Sequence, residues 1–263
     1  MAPETPPTLV PTTHAELAPT TTAADRTPAA PTEPPPPAAP EPIPHAGEMV
    51  AMAVSGHGDA VVALPAEGTA PHPVVVAAHA NWDRPSWECD YWRRIFPTAV
   101  VLCPRGILRP DSPSADDPRF TYASDDALAT ELAASLAALE RDFGPYIDTE
   151  VMLWVGLSRG AFLGAELAPH QAARFPRMIL VEGGHDPWTH ANAKAFADAG
   201  GERVLFVCGQ GACTIQARKA ARVLEQHGVG TRIEDVPGMG HGLNHDATPR
   251  VRDALPWLFG QDG

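Results

Sequence analysis

Apolar residues along this chain fall into two rhythms. Short continuous runs, Pro73–His79, Ala99–Cys103, Val151–Val155, Arg177–Val181, Arg203–Cys208 and Thr231–Val236, read as strands, and the most apolar of them as strands buried on both faces. Between them lie stretches with helical character at 87–96, 161–168, 191–199, 214–227 and 248–259. The clearest helix starts after Ser124, a residue suited to an N-cap, and runs to about Phe143, with Leu128, Leu132, Leu136 and Leu139 on one face. Two further strands, 48–54 and 60–65, flank the turn sequence Ser55-Gly56-His57-Gly58 and read as a hairpin.

Strand and helix alternate from residue 73 onward. That order implies right-handed crossovers and an α/β fold. The expected architecture is a three-layer α/β/α sandwich around a mostly parallel sheet of about eight strands, with the leading hairpin as an antiparallel edge. In such a sheet, catalytic groups collect at the carboxyl ends of the strands. The segment 104–124, rich in Pro, Asp and Arg, reads as one long loop of functional length.

Composition divides the 263 residues in two. Residues 1–45 hold 14 of the 30 prolines and 9 threonines and very few aliphatic side chains, so this stretch is expected to be a disordered linker. Residues 46–263 are expected to form a single domain. The net charge of −13 argues against nucleic acid as a partner. No apolar run is long enough to cross a bilayer, and no signal peptide is visible after Met1. Pro/Thr-rich tails often space an exported domain from an anchor, which favours an extracytoplasmic location slightly over a cytoplasmic one. In an oxidising compartment Cys208 and Cys213 have the spacing to close a small loop, leaving Cys89 and Cys103 as a second pair; four buried thiols are the alternative.

The chemistry concentrates at Gly156-Leu157-Ser158-Arg159-Gly160, which follows the run Val151–Val155 and precedes a helix. A strand turning sharply into a helix crowds the positions two before and two after the corner, so glycine is required there, and the corner serine projects above the sheet. A serine needs a base to become a nucleophile. His241, in Gly240-His241-Gly242 just past the last strand, is the candidate. His245 is four residues on, beside Asp246, but glycines around His241 argue against helical metal presentation, so no metal site is expected.

Elbow and late Gly-His-Gly together resemble the α/β-hydrolase superfamily, nearest its esterase, carboxylesterase-phospholipase and dienelactone-hydrolase-like branches, over about residues 48–260. The resemblance implies Ser158 as nucleophile and His241 as general base. It implies an oxyanion hole from the backbone N–H of Arg159 and that of Ala80 or Asn81, in the turn His79-Ala80-Asn81-Trp82. The usual aspartate after the penultimate helix's strand is missing from Gly209–Thr214, so the acid falls to Glu182 or Asp186 at the preceding strand end, with Asp235 or an acid-free dyad as further alternatives. His79 reads as a buried side chain steadying its loop. Trp82, Trp87 and Trp92 are candidates for an apolar acyl pocket, in part core packing, and Arg105 and Arg109 for gripping an anionic group.

The expected function is hydrolysis of a carboxylic ester, or a related acyl bond of a small-molecule substrate, through an acyl-enzyme on Ser158, with no cofactor. The alternative is a binding or scaffold domain that kept the fold and lost turnover, motivated by the missing aspartate and the tether-like tail.

Overall fold

The structure, a computed structural model, describes residues 42–261. The expectation of disorder for the tail therefore lies outside the described residues, except at its last four. There Ile43 is buried against the core.

The elements follow in chain order: β1 (Met49–Met52), β2 (Ala60–Ala63), β3 (His72–Ala78), α1 (Pro85–Ile95), β4 (Val100–Cys103), β5 (Ile107–Leu108), β6 (Phe120–Thr121), α2 (Asp125–Phe143), β7 (Ile147–Leu157), α3 (Arg159–Gln171), β8 (Arg177–Val181), α4 (His190–Asp198), β9 (Arg203–Cys208), α5 (Gly211–Gln226), β10 (Gly230–Asp235) and α6 (Ala247–Leu258). Eight of the strands form one sheet in the order β1-β2-β4-β3-β7-β8-β9-β10. The β1–β2 and β2–β4 pairs are antiparallel and the rest parallel, so the leading hairpin is the antiparallel edge.

Period-two alternation sends side chains to two separate cores. Val74, Val76 and Ala78 of β3 face one core, with Leu128 and Leu132 of α2, Leu163 of α3, Phe196 of α4 and Leu224 of α5. Val75 and Ala77 face the other, with Trp92 of α1 and Val251 and Leu258 of α6. This is the expected α/β/α sandwich. The α2 face is as the sequence implies: Leu128, Leu132, Leu136 and Leu139 are all buried, and Ser124 Oγ accepts from the Ala127 amide at 3.1 Å.

Two elements differ from expectation. The elbow strand starts at Ile147 rather than Val151; its polar first half pairs with His72–Pro73 of β3 across a register shift. The long loop after β4 carries the small β5–β6 ribbon, which returns the chain so that Trp82 and Asp83 donate backbone hydrogen bonds to the Phe120 carbonyl. Of the two alternatives for the cysteines, the structure has the bonded pairs, Cys89–Cys103 and Cys208–Cys213.

Candidate active site

Ser158 occupies the corner between β7 and α3 at φ 50° and ψ −106°, a conformation costly for a residue with a Cβ. The flanking glycines make the bend feasible. A Cβ on Gly156 would lie 2.6 Å from the Ala161 nitrogen, and one on Gly160 would run into the Ala78 carbonyl of β3. The corner places Ser158 Oγ 2.8 Å from Nε2 of His241, which arrives on the loop after β10.

The other ring nitrogen of His241, Nδ1, lies 3.1 Å from Oε2 of Glu182. An ionised carboxylate only accepts, so Nδ1 carries the proton and donates to it; Nε2 is then free to accept from the serine hydroxyl. Burial differs sharply along this row. The Glu182 side chain is 1% exposed and that of His241 is 52% exposed, so a buried carboxylate backs an accessible imidazole. Glu182 Oε1 accepts from the amides of Gly209 and, at 3.0 Å, Gln210. Asp186 is elsewhere: its Oδ1 lies 3.1 Å from Nδ1 of His185, and its side chain is 70% exposed. Asp235 accepts from Thr214 Oγ1 at 3.3 Å rather than meeting His241.

On the opposite side of Ser158 lies the turn after β3. His79 is fully buried, with Nδ1 2.7 Å from the Ala80 carbonyl and Nε2 2.9 Å from the Arg105 carbonyl; it ties this turn to the loop after β4. Burial lowers its pKa. The His79 amide donates to the hydroxyl of buried Tyr122, which donates in turn to the Pro104 carbonyl. Among the described residues, the Ala80 and Asn81 amides meet no backbone carbonyl. Arg159 opens α3, where the first-turn N–H groups have no helical partner. Its guanidinium donates to the Tyr122 and Ala123 carbonyls at 2.6 and 2.9 Å, so its charge is committed to holding that wall.

Two cavities meet at Ser158 and Asn81. One, of about 640 Å³, is polar and lined by Arg109, Arg159, Phe162, His185 and Asp186. The other, of about 750 Å³, is lined by Trp82, Trp87, Tyr91, Arg119 and Leu243. Trp82 and Trp87 stand partly exposed there, with the Arg119 guanidinium stacked 4.6 and 4.4 Å from their ring centres. Trp92 does not reach this space; it is fully buried in the core below, its indole donating to Glu88.

Arg105 is not on the cleft either. Its guanidinium lies over Phe120 and against Gly58, in a separate cavity with His57 and Glu131. Arg109 does reach the cleft, where Nη1 donates to Asn81 Oδ1 at 2.8 Å and the rest of its fork pairs with Asp111. Sequence reasoning passed over Tyr122 and Arg119. Neither stands apart in the sequence of a loop that also carries Arg105, Arg109, Ile107, Leu108 and Phe120.

As for metals, one ligand-like cluster exists among the described residues: Glu182, Cys208 and Cys213, with donor atoms within 4.8 Å of one another. The two sulfurs are bonded to each other, which leaves a single carboxylate to offer. Among those residues no helix is long and apolar enough to cross a membrane.

No family model and no curated sequence matches this chain. Solved structures do. FphF, a fluorophosphonate-binding serine hydrolase from Staphylococcus aureus, superposes at a TM-score of 0.57 and 13% identity, over 81% of this chain and 98% of that one. The Bacillus cereus carboxylesterase gives 0.51 and 16%, over 76% and 93%. An uncharacterized protein from Bacillus cereus gives 0.57 and 14%; it is longer, and the 74% of this chain that matches spans 62% of its length. At these identities the likeness is one of fold: the chain has the α/β-hydrolase fold.

Proposed function

We propose that the protein is a serine hydrolase that cleaves carboxylic esters of small molecules through an acyl-enzyme on Ser158. The observation that carries this reading is the row Ser158–His241–Glu182, with hydrogen-bond spacings of 2.8 and 3.1 Å. Ser158 attacks the acyl carbon as His241 Nε2 takes its proton. Glu182 holds the ring in the right tautomer and stabilises the imidazolium. The carbonyl oxygen, now negative, is received by the Arg159 amide and that of Ala80 or Asn81. His241 then returns the proton to the departing alkoxide. Water, activated by the same nitrogen, releases the acid and restores the serine.

The assembled row speaks against a domain that has lost turnover, because that idea rested on the carboxylate absent after β9, and Glu182 at the end of β8 supplies one. The carboxylesterase and the serine hydrolase among the similar structures are consistent with the same chemistry. The test is hydrolysis of a short-chain chromogenic ester by the wild type and by Ser158→Ala. Loss of at least about 1000-fold in kcat is expected in the variant; equal turnover by both proteins refutes the assignment.

A further inference from the structure

The loop Cys208–Cys213 touches Glu182 and the loop that carries His241. Cys208 ends β9 and Cys213 lies in the first turn of α5; both are buried, and their Cα atoms are 5.5 Å apart. Between them, the Gly209 and Gln210 amides donate to Oε1 of Glu182, leaving Oε2 to face His241. Gly209 also presses on the histidine's own loop. A Cβ there would lie 2.6 Å from the Gly240 carbonyl and 2.7 Å from the Met239 Cβ. The two sulfurs sit within 4.8 Å of the Glu182 carboxylate.

A peptide segment that donates two adjacent amides to one oxygen must hold both N–H vectors convergent. In an open loop that arrangement carries an ordering cost; a crosslink five residues wide removes much of the freedom in advance. We infer that the Cys208–Cys213 disulfide is a positioning element for catalysis: it holds the Gly209–Gln210 amides on Glu182, and through Glu182 it aims His241 at Ser158. The inference rests on the serine-hydrolase reading. It makes the protein's turnover sensitive to dithiols. Two electrons and two protons pass from the dithiol to the bridge; the dithiol closes to its own disulfide, and Cys208 and Cys213 become thiols.

The test compares ester turnover by the full chain before and after treatment with dithiothreitol, in the wild type and in Glu182→Gln. Alkylation and mass mapping report which bridge has opened, and near-UV circular dichroism reports the fold. Expected in the wild type is a fall in kcat of about 10- to 100-fold with KM nearly unchanged, while Glu182→Gln, already slow, loses no more than about twofold on reduction. Cys208→Ser/Cys213→Ser should reproduce the loss with the Cys89–Cys103 bridge intact. Undiminished kcat with the Cys208–Cys213 bridge open overturns the inference. So does an equal proportional loss in Glu182→Gln, since the effect then bypasses the acid, and so does reduction that unfolds the domain. Ser158→Ala turning over like the wild type would instead sink the underlying reading, whatever the bridge does.

Discussion

Ser158 and Glu182 occupy equivalent positions on neighbouring strands. Leu157 pairs with Val181, the last rung between β7 and β8, and each strand is followed directly by a residue with positive φ, 50° at Ser158 and 49° at Glu182. Each amide then donates to the next strand over: Ser158 to the Val181 carbonyl at 2.8 Å, Glu182 to the Val207 carbonyl at 3.0 Å. Two adjacent strand ends thus make the same bend. One lifts a hydroxyl above the sheet and the other turns a carboxylate toward the loop that brings the histidine.

Replacing the acid should separate the two carboxylates considered at this strand end. Glu182→Gln keeps the shape but loses the charge that fixes the tautomer, so kcat should fall by about 1000- to 10,000-fold with little change in KM. Asp186→Asn, which disturbs only the exposed pairing with His185, should cost far less. Steady-state kinetics on both variants decide, and a larger loss in Asp186→Asn would exchange their roles.

Gly160 is predicted to be intolerant of even one carbon. Its missing side chain is where the Ala78 carbonyl passes, and backbone on both sides gives little room to yield. Gly160→Ala should lower stability by about 1–3 kcal/mol and reduce turnover by tilting the elbow. Denaturant unfolding measured beside the ester assay checks both.

Stability should fall as pH rises from about 5 to about 8 because of Glu88. Burial, with the nearby Asp83 charge, pushes its pKa from an ordinary 4.5 to about 8, against the Trp92 indole, whose hydrogen bond favours the ionised form. A raised carboxyl pKa means the folded state holds a proton that the unfolded chain has already released in this window. Unfolding therefore becomes easier with pH until the folded carboxyl also ionises. A single proton limits the slope to about 1.4 kcal/mol for each step of one in pH. Glu88→Gln, still able to accept from the Trp92 indole, should flatten this slope and gain on the wild type at about pH 8. Thermal melts across the range would show parallel curves for the two proteins if the carboxyl were ordinary.

The elements were legible in the sequence because most carry their own rhythm: the leucine face of α2 and the valine-rich runs of β3 and β4 admit one reading each. The corner serine was legible because two glycines record its crowding. Which carboxylate meets His241 was not, since Glu182 and Asp186 are both polar residues past an apolar run, and the left-handed bend at 182 is a conformation no side chain there announces. Arg105 misled for a related reason. It follows a strand on the catalytic side of the sheet, but the amides of Arg105 and Gly106 are captured by buried Glu131, and the side chain leaves in the other direction. The start of β7 was hidden by its polar residues at the edge of the pairing with β3.

Activation of Ser158 by His241 underlies every catalytic role assigned above. It is probed most directly by incubating the folded full chain with a fluorophosphonate and mapping the adduct by peptide mass. One covalent phosphonyl group per chain is expected, carried by Ser158, with labelling abolished in Ser158→Ala and strongly slowed in His241→Ala. A folded chain that takes up no label, or one labelled at another residue, would contradict it.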